Sequence, residues 1–142
     1  MISKKITNSA IRTIDLAAEA ITQLREKIDK QFESACNIIY ECKGRVVVTG
    51  MGKSGHIANK ISSTLASTGT PAFFLHPAEA SHGDLGMITS EDVVLAISNS
   101  GSTSEIITIL PRIKRLGVPL ISMTGDAQSE IARAAAIHLC IR

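Results

Sequence analysis

Three polar clusters in this sequence have the residue types and spacing to do chemistry. Ser98-Asn99-Ser100-Gly101-Ser102-Thr103-Ser104-Glu105 places five Ser/Thr residues and an Asn in eight positions, between an apolar run at 93–97 and a helix-patterned segment starting near Thr103. One helix cap needs one hydroxyl. Short hydroxyl side chains, a glycine that lets backbone approach a ligand, and the unpaired N–H groups of a helix start suit an anion such as phosphate. The second cluster is Gly50-Met51-Gly52-Lys53-Ser54-Gly55, a glycine-rich turn carrying one cation. The third is His76, Glu79 and His82, with Asp84 just beyond.

Two familiar phosphate motifs fit the glycine turn only in part. A Walker A loop requires a glycine where Val47 stands, inside an apolar run, so a P-loop nucleoside triphosphatase is excluded. Gly50, Gly52 and Gly55 satisfy G-x-G-x-x-G, but the next strand should end in an acidic residue to hold a ribose, and it ends in Leu75-His76. Lys53 suits a terminal phosphate or a developing oxyanion better than a dinucleotide. The H-x-x-E-x-x-H cluster admits a metal, histidines hydrogen-bonded to backbone, or imidazoles moving protons beside a phosphate. Ser102-x-x-Glu105 has the form of a capping box, and Glu105 also stands one turn into a helix whose start would face phosphate. His56 reads as structural or supporting.

Those turns need a scaffold. The apolar runs at 45–49, 72–75, 92–97, 119–123 and 138–141 alternate with helical patterns at 56–67, 105–116 and 129–136, with Gly117 closing the second of these. Pro111 falls inside that helix, at some cost or with a kink. The stretch 76–86 is expected to be loop. Short, nearly continuous apolar strands alternating with helices predict a doubly wound α/β fold around a parallel five-stranded sheet. In a flavodoxin-like strand order, strands one and three adjoin, and turns 50–55 and 98–103 flank one crevice.

Before the first strand, apolar residues at Ala10, Ile14, Ala17, Ala18, Ile21, Leu24 and Ile28 mark one helix face. Asp29 is placed to cap a second helix and Gly44 to end it, so residues 1–43 form a helical arm and 44–142 the α/β core. The arm either covers its own sheet or presents its stripe to another subunit.

A chain of 142 residues suits one domain, and a formal charge of +2 with 3% aromatics argues against a nucleic-acid partner. Cys36, Cys42 and Cys140 are odd in number and form no C-x-x-C pair, which suits reduced thiols in a core. Polar residues interrupt the apolar positions near the start, so neither a signal peptide nor a membrane span is expected, and a cytoplasmic location is.

The runs at 44–58, 76–86 and 98–105 together closely resemble the SIS (sugar isomerase) domain of bacterial arabinose 5-phosphate isomerases, over nearly the whole chain. The resemblance implies the flavodoxin-like SIS fold and interconversion of ribulose 5-phosphate and arabinose 5-phosphate, the entry to Kdo for lipopolysaccharide, without a redox cofactor or metal. By matching position, Gly52, Ser54, Ser98, Asn99, Ser100 and Thr103 would bind the phosphate. Lys53, His82 and Glu105 would serve the reacting end, lined by His76 and Glu79, with the identity of the base left open. It further implies a dimer or tetramer with shared sites. Relatives of this kind continue beyond Ile141 with a Glu-containing loop, a Thr/Ser-rich helix and often CBS modules, so the C-terminal end of the domain is expected to be short here. The alternatives within reach of these residues are a non-catalytic sugar-phosphate sensor, an inactive fragment of the isomerase and, less favoured, a dinucleotide enzyme.

Overall fold

A computed structural model describes residues 2–142. The order is α1 (Ile2–Gln23), α2 (Lys30–Glu41), β1 (Val46–Gly50), α3 (Gly52–Ser67), β2 (Ala72–Leu75), α4 (Pro77–Ser81), β3 (Val93–Ser98), α5 (Ser104–Leu116), β4 (Leu120–Thr124), α6 (Glu130–Ala134) and β5 (Ile137–Cys140). The strands form one sheet in the order β2-β1-β3-β4-β5 with every pair parallel, which is the flavodoxin-like arrangement. Each crossover requires a helix, and the β-branched runs supply the strands.

Alternation along the strands divides the core in two. Val47, Val94, Ala96 and Leu120 face Ile106, Ile109, Leu110 and Ile113 of α5, while Val46, Val48, Leu95 and Ile121 pack on the side of Ala35 and Ala58. Every residue of β1 and β3 is buried, as expected of central strands covered on both faces. Each fully buried Ile or Leu contributes about 1.5–3 kcal/mol, so α5 is fixed chiefly by its apolar face. Pro111 is accommodated within α5 at an exposed position.

Several local expectations are corrected. The first helix stops at Gln23 and gives way to a 3-10 turn over Leu24–Lys27, because Asp29 must leave helical geometry to accept hydrogen bonds from the N–H groups of Gln31 (2.8 Å) and Phe32 (3.1 Å). Helix α2 ends at Glu41, so Gly44 is not its terminator. Gly44 instead passes against Glu91 and Asp92, where a Cβ would collide with the Asp92 carboxylate. The stretch 76–86 is not plain loop but holds α4 and a 3-10 turn, with Pro77 at the first helical position where its missing N–H costs nothing. The three thiols are free, with Cys36 exposed and Cys42 and Cys140 half-buried, so none is a core residue.

The arm behaves as two parts. Helix α2 lies on the sheet through Ala35, Ile38 and Ile39. Helix α1 does not cover the sheet: Ile6, Ile11, Ile14, Leu16 and Ile21 are between 53% and 68% exposed. No helix among the described residues is long and apolar enough to cross a membrane.

At the edge where the strands begin, Asp92 pins the sheet. Its carboxylate accepts from the N–H groups of Arg45 (2.7 Å) and Thr89 (2.8 Å) and faces the Arg45 guanidinium at 3.5 Å. Arg45 also donates to the Met87 carbonyl and lies over the Phe73 ring. Burial pushes the Asp92 carboxyl up, but the hydrogen bonds from Thr89 and Arg45 and the Arg45 charge outweigh it and hold the group below its usual value.

Candidate functional site

The site is built where β1 and β3 end side by side, Gly50 paired with Ile97. Gly50 and Gly55 explain the glycine spacing. A Cβ on Gly55 would lie 2.7 Å from the Gly50 carbonyl oxygen, and one on Gly50 would lie 2.9 Å from Ser54 backbone, so β1 and α3 meet only without side chains there. Helix α3 consequently starts at Gly52, four residues earlier than expected, and Lys53, Ser54 and Gly55 lie in its first turn. Met51 gives no side-chain cap, and the N–H groups at this helix start are free to meet an anion. Lys53 is exposed and Ser54 half-buried.

At the end of the neighbouring strand β3, the hydroxyl turn is internally braced. Ser98, 2% exposed, pairs with the Thr103 hydroxyl at 2.7 Å and accepts from the Gly101 N–H at 3.0 Å. Ser98 therefore shapes the turn from beneath, while Asn99, Ser100 and Ser102 are exposed along it. Ser100 accepts from the Ser102 N–H at 3.3 Å. Gly101 has φ +66 and is buried against the Ser129 side chain, so neither its conformation nor its space admits a Cβ.

The capping box is not formed. Thr103 is the N-cap of α5, its hydroxyl is engaged with Ser98, and no side chain caps the helix. The Glu105 carboxylate accepts from its own N–H and from the Ser104 hydroxyl, which donates at 2.9 Å. These two bonds, opposed by partial desolvation and aided by the charge of His76, hold its carboxyl below the usual value. Glu105 and His76 are thus brought within electrostatic reach by the packing of α4 on α5.

His76 caps α4 without a side-chain bond, stands edge-on to Phe74 with ring centroids 6.2 Å apart, and leaves a buried Nδ1 without a partner. Glu79 and His82 are exposed, with His82 at the end of α4. Among the described residues, no three His, Cys, Asp or Glu side chains stand close enough to hold a metal ion. His56 is exposed on α3.

Sequence reasoning missed a supporting layer. Thr49, fully buried at the end of β1, has an unpartnered hydroxyl, and Thr124, Ser129 and His138 form a polar group behind the cradle. The pairing of Ser98 with Thr124 across β3 and β4 creates that layer, and only the β4 register could have signalled it. A concavity of about 810 Å³ lies elsewhere, against α5, α6 and the start of β4. Its walls are mostly apolar, with Ile107, Leu110, Pro111 and Val118, and also include Lys114, Glu130 and Arg133.

The SIS domain family model matches residues 38–142, from α2 through β5. The chain belongs to the SIS domain family. This SIS domain is 62% identical over 132 residues to the arabinose 5-phosphate isomerase KdsD of Pseudomonas aeruginosa, a match covering 93% of this chain and 40% of that protein. With KdsD of Escherichia coli K12 the identity is 57% over 124 residues, covering 87% and 38%. The chain thus spans about 40% of the length of the curated relatives it matches. Among solved structures it resembles E. coli CFT073 c3406 in complex with arabinose 5-phosphate, with a TM-score of 0.82, 42% identity and coverage of 94% of this chain and 73% of that one. It also resembles a putative sugar-phosphate isomerase from Listeria monocytogenes, with a TM-score of 0.90, 35% identity and coverage of 93% and 70%. The SIS fold and family expected from the three motifs are those found.

Proposed function

We propose that this SIS domain interconverts ribulose 5-phosphate and arabinose 5-phosphate through a cis-enediol. The observation that carries the reading is the placement, at the ends of two adjacent strands, of an uncapped lysine-bearing helix start and a braced hydroxyl turn, with Glu105 in the first turn of the helix that follows. The KdsD relatives and the arabinose 5-phosphate complex of a structural neighbour supply the sugar. The phosphate is held by Ser54, Asn99, Ser100 and Thr103 with the N–H groups near Gly52, and Ser98 keeps the turn in shape.

Isomerisation removes a proton from C2 of the aldose or C1 of the ketose and returns it to the other carbon, while the hydroxyl and carbonyl exchange positions. It needs a proton acceptor, a group that steadies the oxyanion, and no change in oxidation state overall. Lys53 offers a cation to the oxyanion, and His82 and Glu105 serve proton movement, with His76 and Glu79 lining the sugar. The reaction would feed Kdo and lipopolysaccharide synthesis in the cytoplasm. The bare stripe of α1 supports self-association into a dimer or tetramer with shared sites, since an isolated amphipathic helix of this length is marginal in water.

A second reading, a sugar-phosphate-binding module without catalysis, is favoured by one observation. Glu105 is held ionised by its own N–H and Ser104, which makes it a weak proton acceptor in the unliganded chain. Ketose appearance from arabinose 5-phosphate, compared between the natural chain and Lys53→Ala or Glu105→Gln, tests the isomerase. Turnover that the substitutions abolish supports it; binding without turnover in the natural chain supports the module.

A further inference from the structure

Behind the cradle, the segment after β4 holds the hydroxyl turn by its carbonyls. The Gly125 N–H donates to the Asn99 carbonyl at 2.9 Å, and the Ile131 N–H donates to the Gly101 carbonyl at 3.1 Å. In a trans peptide the carbonyl and the following N–H point opposite ways. Every described peptide here is trans, so drawing these two carbonyls toward β4 turns the N–H groups of Ser100 and Ser102 the other way, where that of Ser102 meets the Ser100 hydroxyl at 3.3 Å and that of Ser100 faces away from β4. The direction of these donors is therefore set from behind.

What fixes residues 125–131 is a polar cluster centred on Thr124. Its hydroxyl donates to the Asp126 carbonyl at 2.9 Å and accepts from the Asp126 N–H at 3.2 Å. Ser129 donates to the same carbonyl at 2.6 Å, caps α6 through the Ala132 N–H, and packs on Gly101. The Thr124 hydroxyl and His138 Nε2 stand 2.9 Å apart and share one hydrogen bond, so the imidazole on β5 fixes the hydroxyl at the centre of the cluster.

We infer that His138, with Thr124, is a positioning residue for the anion cradle: its Nε2 holds Thr124 so that residues 125–131 aim the Ser100 N–H at a phosphate and set the Ser102 N–H on the Ser100 hydroxyl beside it. The inference rests on the phosphate-binding part of the proposed function. It extends the site to β5, two strands away from β3 and its hydroxyl turn.

The test is titration of the full chain with inorganic phosphate and with arabinose 5-phosphate, followed by the amide resonances of Ser100 and Ser102. His138→Leu removes the hydrogen-bond partner of Thr124, and His138→Gln restores one at a similar reach. Loss of one buried hydrogen bond corresponds to about tenfold weaker binding of both ligands. The expected result is that loss in His138→Leu, recovery to within about threefold in His138→Gln, and a raised KM with kcat little changed. Unchanged affinity in His138→Leu, or equal impairment in the Gln variant, overturns the inference. If His138→Leu does not fold, Thr124→Val against Thr124→Ser is judged by the same criterion. A natural chain that binds neither ligand refutes the cradle itself, an outcome distinct from a natural chain that binds and a His138→Leu variant that binds equally well.

Discussion

Gly101→Ala is the substitution that probes the cradle most sharply. Gly101 has φ +66, and a Cβ there would overlap the Ser129 side chain. The left-handed conformation alone costs a non-glycine residue about 1–2 kcal/mol. The overlap adds about 1–3 kcal/mol, because either backbone shifts or Ser129 moves and releases its bonds to Asp126 and Ala132. The sum is about 2–5 kcal/mol of lost stability. Gly52→Ala is the internal control, since Gly52 also has positive φ, at +55, but nothing lies within 4 Å of where its Cβ would be. It should lose only the backbone component, about 1–2 kcal/mol. Urea unfolding by circular dichroism gives both values, provided the m-values agree. A difference of about 1–3 kcal/mol between the variants is expected, and Gly101→Ala should also weaken phosphate binding. Equal destabilisation would refute the reasoning that Ser129 buttresses the turn.

Other perturbations separate the parts of the account. Ser98→Ala removes the Thr103 contact and one of two acceptors for the Gly101 N–H, the Ser98 carbonyl at 3.1 Å remaining, and should cost about 0.5–1.5 kcal/mol in urea unfolding while loosening phosphate binding. The folded Asp92 carboxyl holds its proton less readily than the unfolded one, so its stabilisation is present above about pH 4 and lost as pH falls through the lower folded value. Unfolding midpoints measured down that range should fall less steeply in Asp92→Asn, which should also be about 1–3 kcal/mol less stable at neutral pH. Glu105 stays ionised through the neutral range, so Glu105→Gln should depress kcat at pH 7 in a chain that remains folded, with only a small fall in the unfolding midpoint from loss of the ionised carboxylate's contacts. Ile14→Asp, placed on the bare stripe of α1, should shift sedimentation toward monomer and leave the α/β core folded.

The α/β core was readable because its signals are local and repeated. The Val-rich run before Gly50 and the run before Ser98 are buried along their whole length, and the 2-1-3-4-5 order follows from parallel crossovers. Local competition misled the rest. Gly44 resembles a helix terminator, yet its missing Cβ makes room for Asp92, a contact far away in sequence that no local rule detects. Ser102 and Glu105 have capping-box spacing, but Thr103 is drawn to Ser98 and becomes the N-cap instead. Within the site, the turns were legible from hydroxyl and glycine density. Thr124, Ser129 and His138 were not, because their importance arises from the register of β3 on β4 and β4 on β5.

The central claim is that this crevice moves a proton between C1 and C2 of a pentose 5-phosphate. Proton NMR of arabinose 5-phosphate with the protein in D2O tests it directly, by following ketose formation and deuterium entry at C2 together. The account predicts both, above a control without protein. Neither conversion nor exchange from a folded chain that still binds the sugar phosphate would contradict it and leave a binding module.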